Sequence, residues 1–105
     1  MPAFTDFTFR SANAVNTIHA RMCTPDGAPR AIVQIVHGIA EHINRYDNFM
    51  LFLAVNGILA VGDDHLGHGQ SVTDEADRGF FNDDNGWFYV VTDEERLHDI
   101  IAKDY

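Results

Sequence analysis

Cysteine is nearly absent from this chain. Cys23 stands alone, so neither a disulfide framework nor a cysteine-built zinc site is available, and an intracellular, cytoplasmic setting is expected. Positive charge is also scarce: seven lysines and arginines face 16 acidic residues, for a net charge of −9. A nucleic-acid interface needs a basic face to meet phosphates, so nucleic acid is excluded as a partner. The imbalance is local. Residues 1–61 are neutral, with Asp6, Asp26, Glu41 and Asp47 offset by Arg10, Arg21, Arg30 and Arg45, and residues 62–105 carry the whole excess. Such a run reads most simply as a solvated acidic surface. No apolar run approaches the roughly 18 residues of a membrane span, so no transmembrane segment is expected. Met1 to Asp6 has no basic stretch leading into an apolar one, and so does not read as a signal peptide. Serine is represented only by Ser11 and Ser71. What is present is an ordinary globular composition, 46% apolar over 105 residues, enough for one small domain or part of a larger one.

The apolar pattern changes period along the chain. Phe4 to Arg10 alternates, with Phe7 and Phe9 on one face, and predicts a strand. Ser11 to Ala14 reads as a turn into a second, antiparallel strand over Val15 to Met22. Pro25-Asp26-Gly27-Ala28-Pro29 is a loop. Ala31 to Val36 is a nearly continuous β-branched run, the composition of a strand buried on both faces of a parallel sheet. A helix then follows, with Asn44 as N-cap, Asp47 in the first turn, and Tyr46, Phe49, Met50 and Leu53 at helical spacing. Asn56-Gly57 stops it, and Ile58 to Val61 forms another short buried strand. Strand, helix and strand with brief connections make a parallel βαβ unit. Val72 to Asn85 is polar and acidic and reads as a long loop. A last helix spans about Trp87 to Lys103, with Val90, Leu97, Ile100 and Ile101 as its apolar face. Thr92 with Glu95 forms a capping box that would instead start the regular helix at Asp93.

Two segments carry chemistry. The first is the strand that runs into His37-Gly38. Ligands bind at the carboxyl edge of such sheets, glycine lets backbone approach a substrate closely, and the N–H of Ile39 is a candidate donor to a developing oxyanion. A tight turn without function is the plainer reading of His-Gly alone. The second segment, Asp64-His65-Leu66-Gly67-His68-Gly69-Gln70-Ser71, is a glycine-rich turn dense in His and Asp. His65-x-x-His68 beside Asp63 and Asp64 has metal-ligand residue types. Gly67 and Gly69, however, mark a turn poorly suited to fixing two imidazoles, and no metal is expected here. Ser71 lacks the G-x-S-x-G context of a nucleophile, since Gly69-Gln70-Ser71-Val72-Thr73 has only the first glycine. Ser11 lies in a turn, and Cys23 reads as a packed thiol. His19 and His98 read as a strand and a helix-surface residue.

Taken together, His37 to Tyr46 resembles the HGxGEHxxRY stretch, and Asp64 to Ser71 the DHxGHGxS turn, of α/β-hydrolases of the monoacylglycerol lipase and lysophospholipase type. The resemblance covers the chain beyond about residue 25; Ala40 departs from it, standing where that family usually has glycine. It implies the N-terminal part of an α/β-hydrolase sheet: an antiparallel strand pair, a parallel βαβ unit, then a helix. It implies an oxyanion loop at His37, Gly38 and Ile39, and places Glu41 and Arg45 near the polar head of a monoester. Four apart at a helix entrance, Glu41 and Arg45 could equally pair with each other. Asp64, His65, Gly67, His68, Gly69 and Ser71 would be a structural turn bracing the loops around the site. No cofactor is implied, and the substrate would be a small or lipid-like carboxylic ester cleaved through an acyl-enzyme.

In that family the nucleophile elbow, a cap, and the Asp and His of the triad follow the last helix. Residues 1–105 are therefore expected to be one part of a single hydrolase domain, inactive as an isolated fragment. The strand Ala31 to Val36 would then need the remainder of the domain, or a second chain, to cover its edge. Peptidase, thioesterase or epoxide hydrolase chemistry on the same scaffold is the alternative, as is a non-catalytic domain that pairs through its sheet edge.

Overall fold

The computed structural model describes residues 2–14, 16–37, 42–65, 71 and 86–105. Gly38, Ile39, Ala40, Glu41, Gly67, His68 and Gly69, and the loop expected over 72–85, lie outside the described residues. Four strands form one mixed sheet: β1 (Ala3–Arg10), β2 (Thr17–Thr24), β3 (Ala31–Ile35) and β4 (Ile58–Asp63). Their order is β1-β2-β4-β3, with β1 and β4 antiparallel to β2, and β3 parallel to β4. A 3₁₀ turn at Ile43–Tyr46 leads into α1 (Asp47–Val55), and α2 (Gly86–Asp104) closes the chain.

The two helices cover opposite faces of the sheet, and strand alternation assigns the residues. On one face Met50, Leu53 and Ala54 of α1 and Ile43 pack against Cys23 and Ala60. On the other, Leu97 and Ile101 of α2 pack against Ala20, Leu59 and Val61, with Phe7, Phe9 and Met22 at the margin. Fully buried aliphatic side chains of this kind contribute about 2 kcal/mol each. Polar ties fix α2 further. Ser11 Oγ and the Ala12 N–H both donate to Asp93, at 2.7 and 2.6 Å, and Gln34 Nε2 donates to the Glu94 carbonyl at 3.0 Å.

The elements match the expectations from sequence, with differences that have physical reasons. Asn44 is not the N-cap. The turn begins at Ile43, and no side chain of the preceding residue caps it. The Ile43 N–H donates instead to Asp64 Oδ1 at 2.7 Å, so a carboxylate distant in sequence does the work of a local cap. Thr92 is not a cap either. It lies inside α2 and its hydroxyl donates to the Phe88 carbonyl one turn back at 2.8 Å. The β-branched strand β3 is not buried on both faces. It pairs with β4 alone among the described residues, and Ile32 is 41% exposed. β4 runs two residues further than its apolar run because Gly62 and Asp63 continue the pairing with β2 and β3.

Candidate functional site

Because β3 and β4 are parallel, with Ile35 opposite Gly62, their chains leave the sheet at the same edge. The approach is close. A Cβ on Gly62 would overlap the Ile43 side chain and lie 2.8 Å from the Ile35 carbonyl oxygen. Just beyond the strands, His37 and His65 are both buried, with ring centroids 3.8 Å apart. They bond reciprocally. The His65 backbone N–H donates to His37 Nε2 at 2.9 Å, and His65 Nε2 lies 2.7 Å from the His37 carbonyl oxygen. A carbonyl only accepts, so His65 Nε2 carries a hydrogen; His37 Nε2, as an acceptor, carries none. This pair locks the start of the His37-Gly38 segment to the end of β4.

Asp63 and Asp64 are consecutive, so the strand period points them to opposite faces. Asp64 faces α1. Its Oδ1 accepts the Ile43 N–H, and its Oδ2 lies 2.7 Å from His19 Nδ1. Its backbone N–H donates to the His19 carbonyl at 2.8 Å. Ser71 joins the same knot, its hydroxyl donating to the Asp64 carbonyl at 2.6 Å and accepting the His19 N–H at 3.0 Å. One buried carboxylate thus ties together β2, the 3₁₀ turn and the end of β4.

Asp63 faces α2 and is fully buried, and neither of its oxygens has a hydrogen-bond partner among the described residues. His65 Nδ1 lies 3.6 Å from Asp63 Oδ1 and 3.2 Å from Glu94 Oε2. Gln34 Nε2 donates to Glu94 Oε1 at 3.0 Å. Burial, with Glu94 beside it, pushes the Asp63 carboxyl up to about 10. Burial would also raise Glu94, but His65, Asp63 and Gln34 outweigh it and hold Glu94 below its ordinary value. For His65, burial works downward and the Glu94 carboxylate outweighs it, raising the imidazole.

Among the described residues, the structure brings together His37, Asp64, His65 and Ser71. Arg45 stands apart, exposed on the 3₁₀ turn. Reading the sequence missed Glu94, His19 and Asp93 as members of this edge. Glu94 had a signal: it shares helical spacing with Val90, Leu97 and Ile101, which places it on the buried face of α2. His19 had none, because only the pairing of β2 with β4 carries it to Asp64.

Known proteins agree with this architecture. The family model described as Hydrolase_4, Serine aminopeptidase, S33, matches residues 27–105. Over 89 residues the chain is 36% identical to a monoglyceride lipase of Mus musculus, covering 84% of this chain and 27% of that protein. Identity to the monoglyceride lipase of Homo sapiens is 34% with the same coverage. A thermostable carboxyl esterase from Bacillus coagulans, solved in complex with glycerol, superposes with a TM-score of 0.88 at 36% identity, over 98% of this chain and 33% of that one. The chain thus spans about a quarter of the length of the curated relatives it matches.

Proposed function

Since this chain belongs to the Hydrolase_4 family, we propose that it is the N-terminal part of a serine hydrolase domain that cleaves carboxylic esters through an acyl-enzyme. The substrate class is a monoacylglycerol or a similar single-chain ester, such as a lysophospholipid. The observation that carries this reading is the locked His37–His65 pair. It ties the chain leaving β3 to the end of β4 at His37, which supports reading His37, Gly38 and Ile39 as an oxyanion loop with the Ile39 N–H as donor to the tetrahedral intermediate. Glu41 and Arg45 then lie on the polar-head side of the substrate, and the Asp64 to Ser71 turn braces the loop. Ser11 and Ser71 are both buried and hydrogen-bonded within the fold, which leaves neither available as a nucleophile. On this reading the acyl-accepting serine and its base belong to a segment outside residues 1–105, as does a strand that covers β3.

A fluorophosphonate probe, paired with hydrolysis of a monoacylglycerol, a p-nitrophenyl ester and an aminoacyl p-nitroanilide, tests this. A longer polypeptide containing these residues should label and hydrolyse both esters, and Arg45→Ala should raise KM for the monoacylglycerol more than for the p-nitrophenyl ester. The isolated 105-residue chain should neither label nor turn over. Labelling of the isolated chain at Ser71 would overturn the nucleophile assignment, and cleavage of the anilide alone would replace ester with peptide chemistry. No helix among the described residues is long and apolar enough to cross a membrane.

A further inference from the structure

We propose that Asp63, His65 and Glu94 form a binding site for a divalent metal ion, with zinc the species their donors suit. One ligand atom from each residue lies within 4.8 Å of the others. The separations from His65 Nδ1, 3.6 Å to Asp63 Oδ1 and 3.2 Å to Glu94 Oε2, bracket the spacing of zinc ligands. Bonds of about 2.0–2.2 Å at tetrahedral angles set such donors about 3.3–3.6 Å apart.

The surroundings are those of a metal-binding imidazole. His65 gives its Nε2 hydrogen to the His37 carbonyl at 2.7 Å, the outer contact that typically fixes the orientation of a ligating histidine, and its Nδ1 faces the two carboxylates. Gln34 holds Glu94 Oε1 and leaves Oε2 facing the cluster. Asp63 is 0% exposed, and neither oxygen has a hydrogen-bond donor among the described residues. An interior carboxylate without a donor is costly; a proton held beside Glu94 relieves it in the empty site, and a cation at the same point would take that proton's place. Donors of one imidazole and two carboxylates fit zinc, with water as a fourth ligand. His68, the second imidazole of the sequence pattern, lies outside the described residues. The third ligand comes from α2, so the ion would clamp that helix to the end of β4. The assignment does not depend on the ester-hydrolase reading.

The full chain, stripped with a chelator, is melted with and without zinc chloride, and its metal content is measured after dialysis. Wild type should retain about one zinc ion per chain and melt about 5 °C or more higher with zinc in hundredfold excess over Kd. Asp63→Asn and Glu94→Gln should each lose both the uptake and the shift. Cobalt(II) in place of zinc should give the intense visible bands of a tetrahedral centre in wild type and not in Asp63→Asn. Absence of uptake by wild type overturns the assignment, since protons alone then hold the three groups together. Uptake that persists in Asp63→Asn overturns it as well, placing the ion on other histidines.

Discussion

Two adjacent aspartates should respond oppositely to mutation. Asp64 and Asp63 are equally hidden from solvent, so composition and burial alone predict the same outcome for both. Their partners do not. Asp64 accepts the Ile43 N–H and faces His19 Nδ1, each at 2.7 Å. Hydrogen bonds to a charged acceptor contribute about 1.5–3 kcal/mol each, and removing the acceptor strands two buried donors. Asp64→Ala should therefore cost about 3–5 kcal/mol. Asp64→Asn should cost only about 1–2 kcal/mol. Its oxygen can keep the Ile43 bond while its amide donates to His19 Nδ1, the histidine moving its hydrogen to Nε2, which already lies 3.6 Å from Asp6. Asp63→Asn, in zinc-free protein, removes a carboxyl without a hydrogen-bond donor and should leave stability unchanged or higher. Urea unfolding of the four proteins in chelator-treated buffer measures this. With an m-value of about 1–3 kcal/mol/M, Asp64→Ala should lower the midpoint by more than about 1 M. A midpoint for Asp63→Asn below that of Asp64→Ala would refute the division of roles between the two faces.

Two further outcomes follow from the geometry. Gly62→Ala should destabilise by about 1–3 kcal/mol, because its methyl meets Ile43 and the Ile35 carbonyl oxygen; adding Ile43→Val should recover part of that loss in the same unfolding assay, and full recovery would mean the backbone contact is not felt. For Asp6, burial works to raise the carboxyl, but Arg21 Nη1 at 2.7 Å outweighs it, so the folded value lies below the ordinary one. That stabilisation is complete above the ordinary carboxylate range and is lost as pH falls through the folded value; Asp6→Asn, half-exposed and screened, should cost under about 1 kcal/mol near neutrality, the gap closing below about pH 3.

How much of this was legible depends on whether a residue's partner is local. The alternation in Phe4 to Arg10, the β-branched run of β3 and the Asn56-Gly57 stop are local signals, and each element formed where they indicated, within about two residues. Local signals failed where a tertiary partner displaced them. Asn44 is a sound cap by propensity, but Asp64 takes the Ile43 N–H and the turn starts two residues earlier than an Asn44 cap would set it. Thr92 and Glu95 have the spacing of a capping box, yet α2 was already helical from Gly86, and the threonine hydroxyl turned back to Phe88.

The site followed the same rule. His37 and His65 were singled out separately, each in its own motif, but their reciprocal bonding needs the parallel register of β3 on β4, which no motif encodes. The dense group Asp63, Asp64, His65 read as one turn with one environment. Strand alternation splits it: Asp64 is committed to the fold on the α1 side, and Asp63 is left facing Glu94 on the α2 side. A metal reading confined to this turn looked for His68 as its partner. The donor that completes the set lies on α2, where the periodicity of Leu97 and Ile101 already marked the face on which Glu94 sits. Combining two local periods, two residues in β4 and 3.6 in α2, would have brought Asp63 and Glu94 together without a structure. Neither period alone could do so.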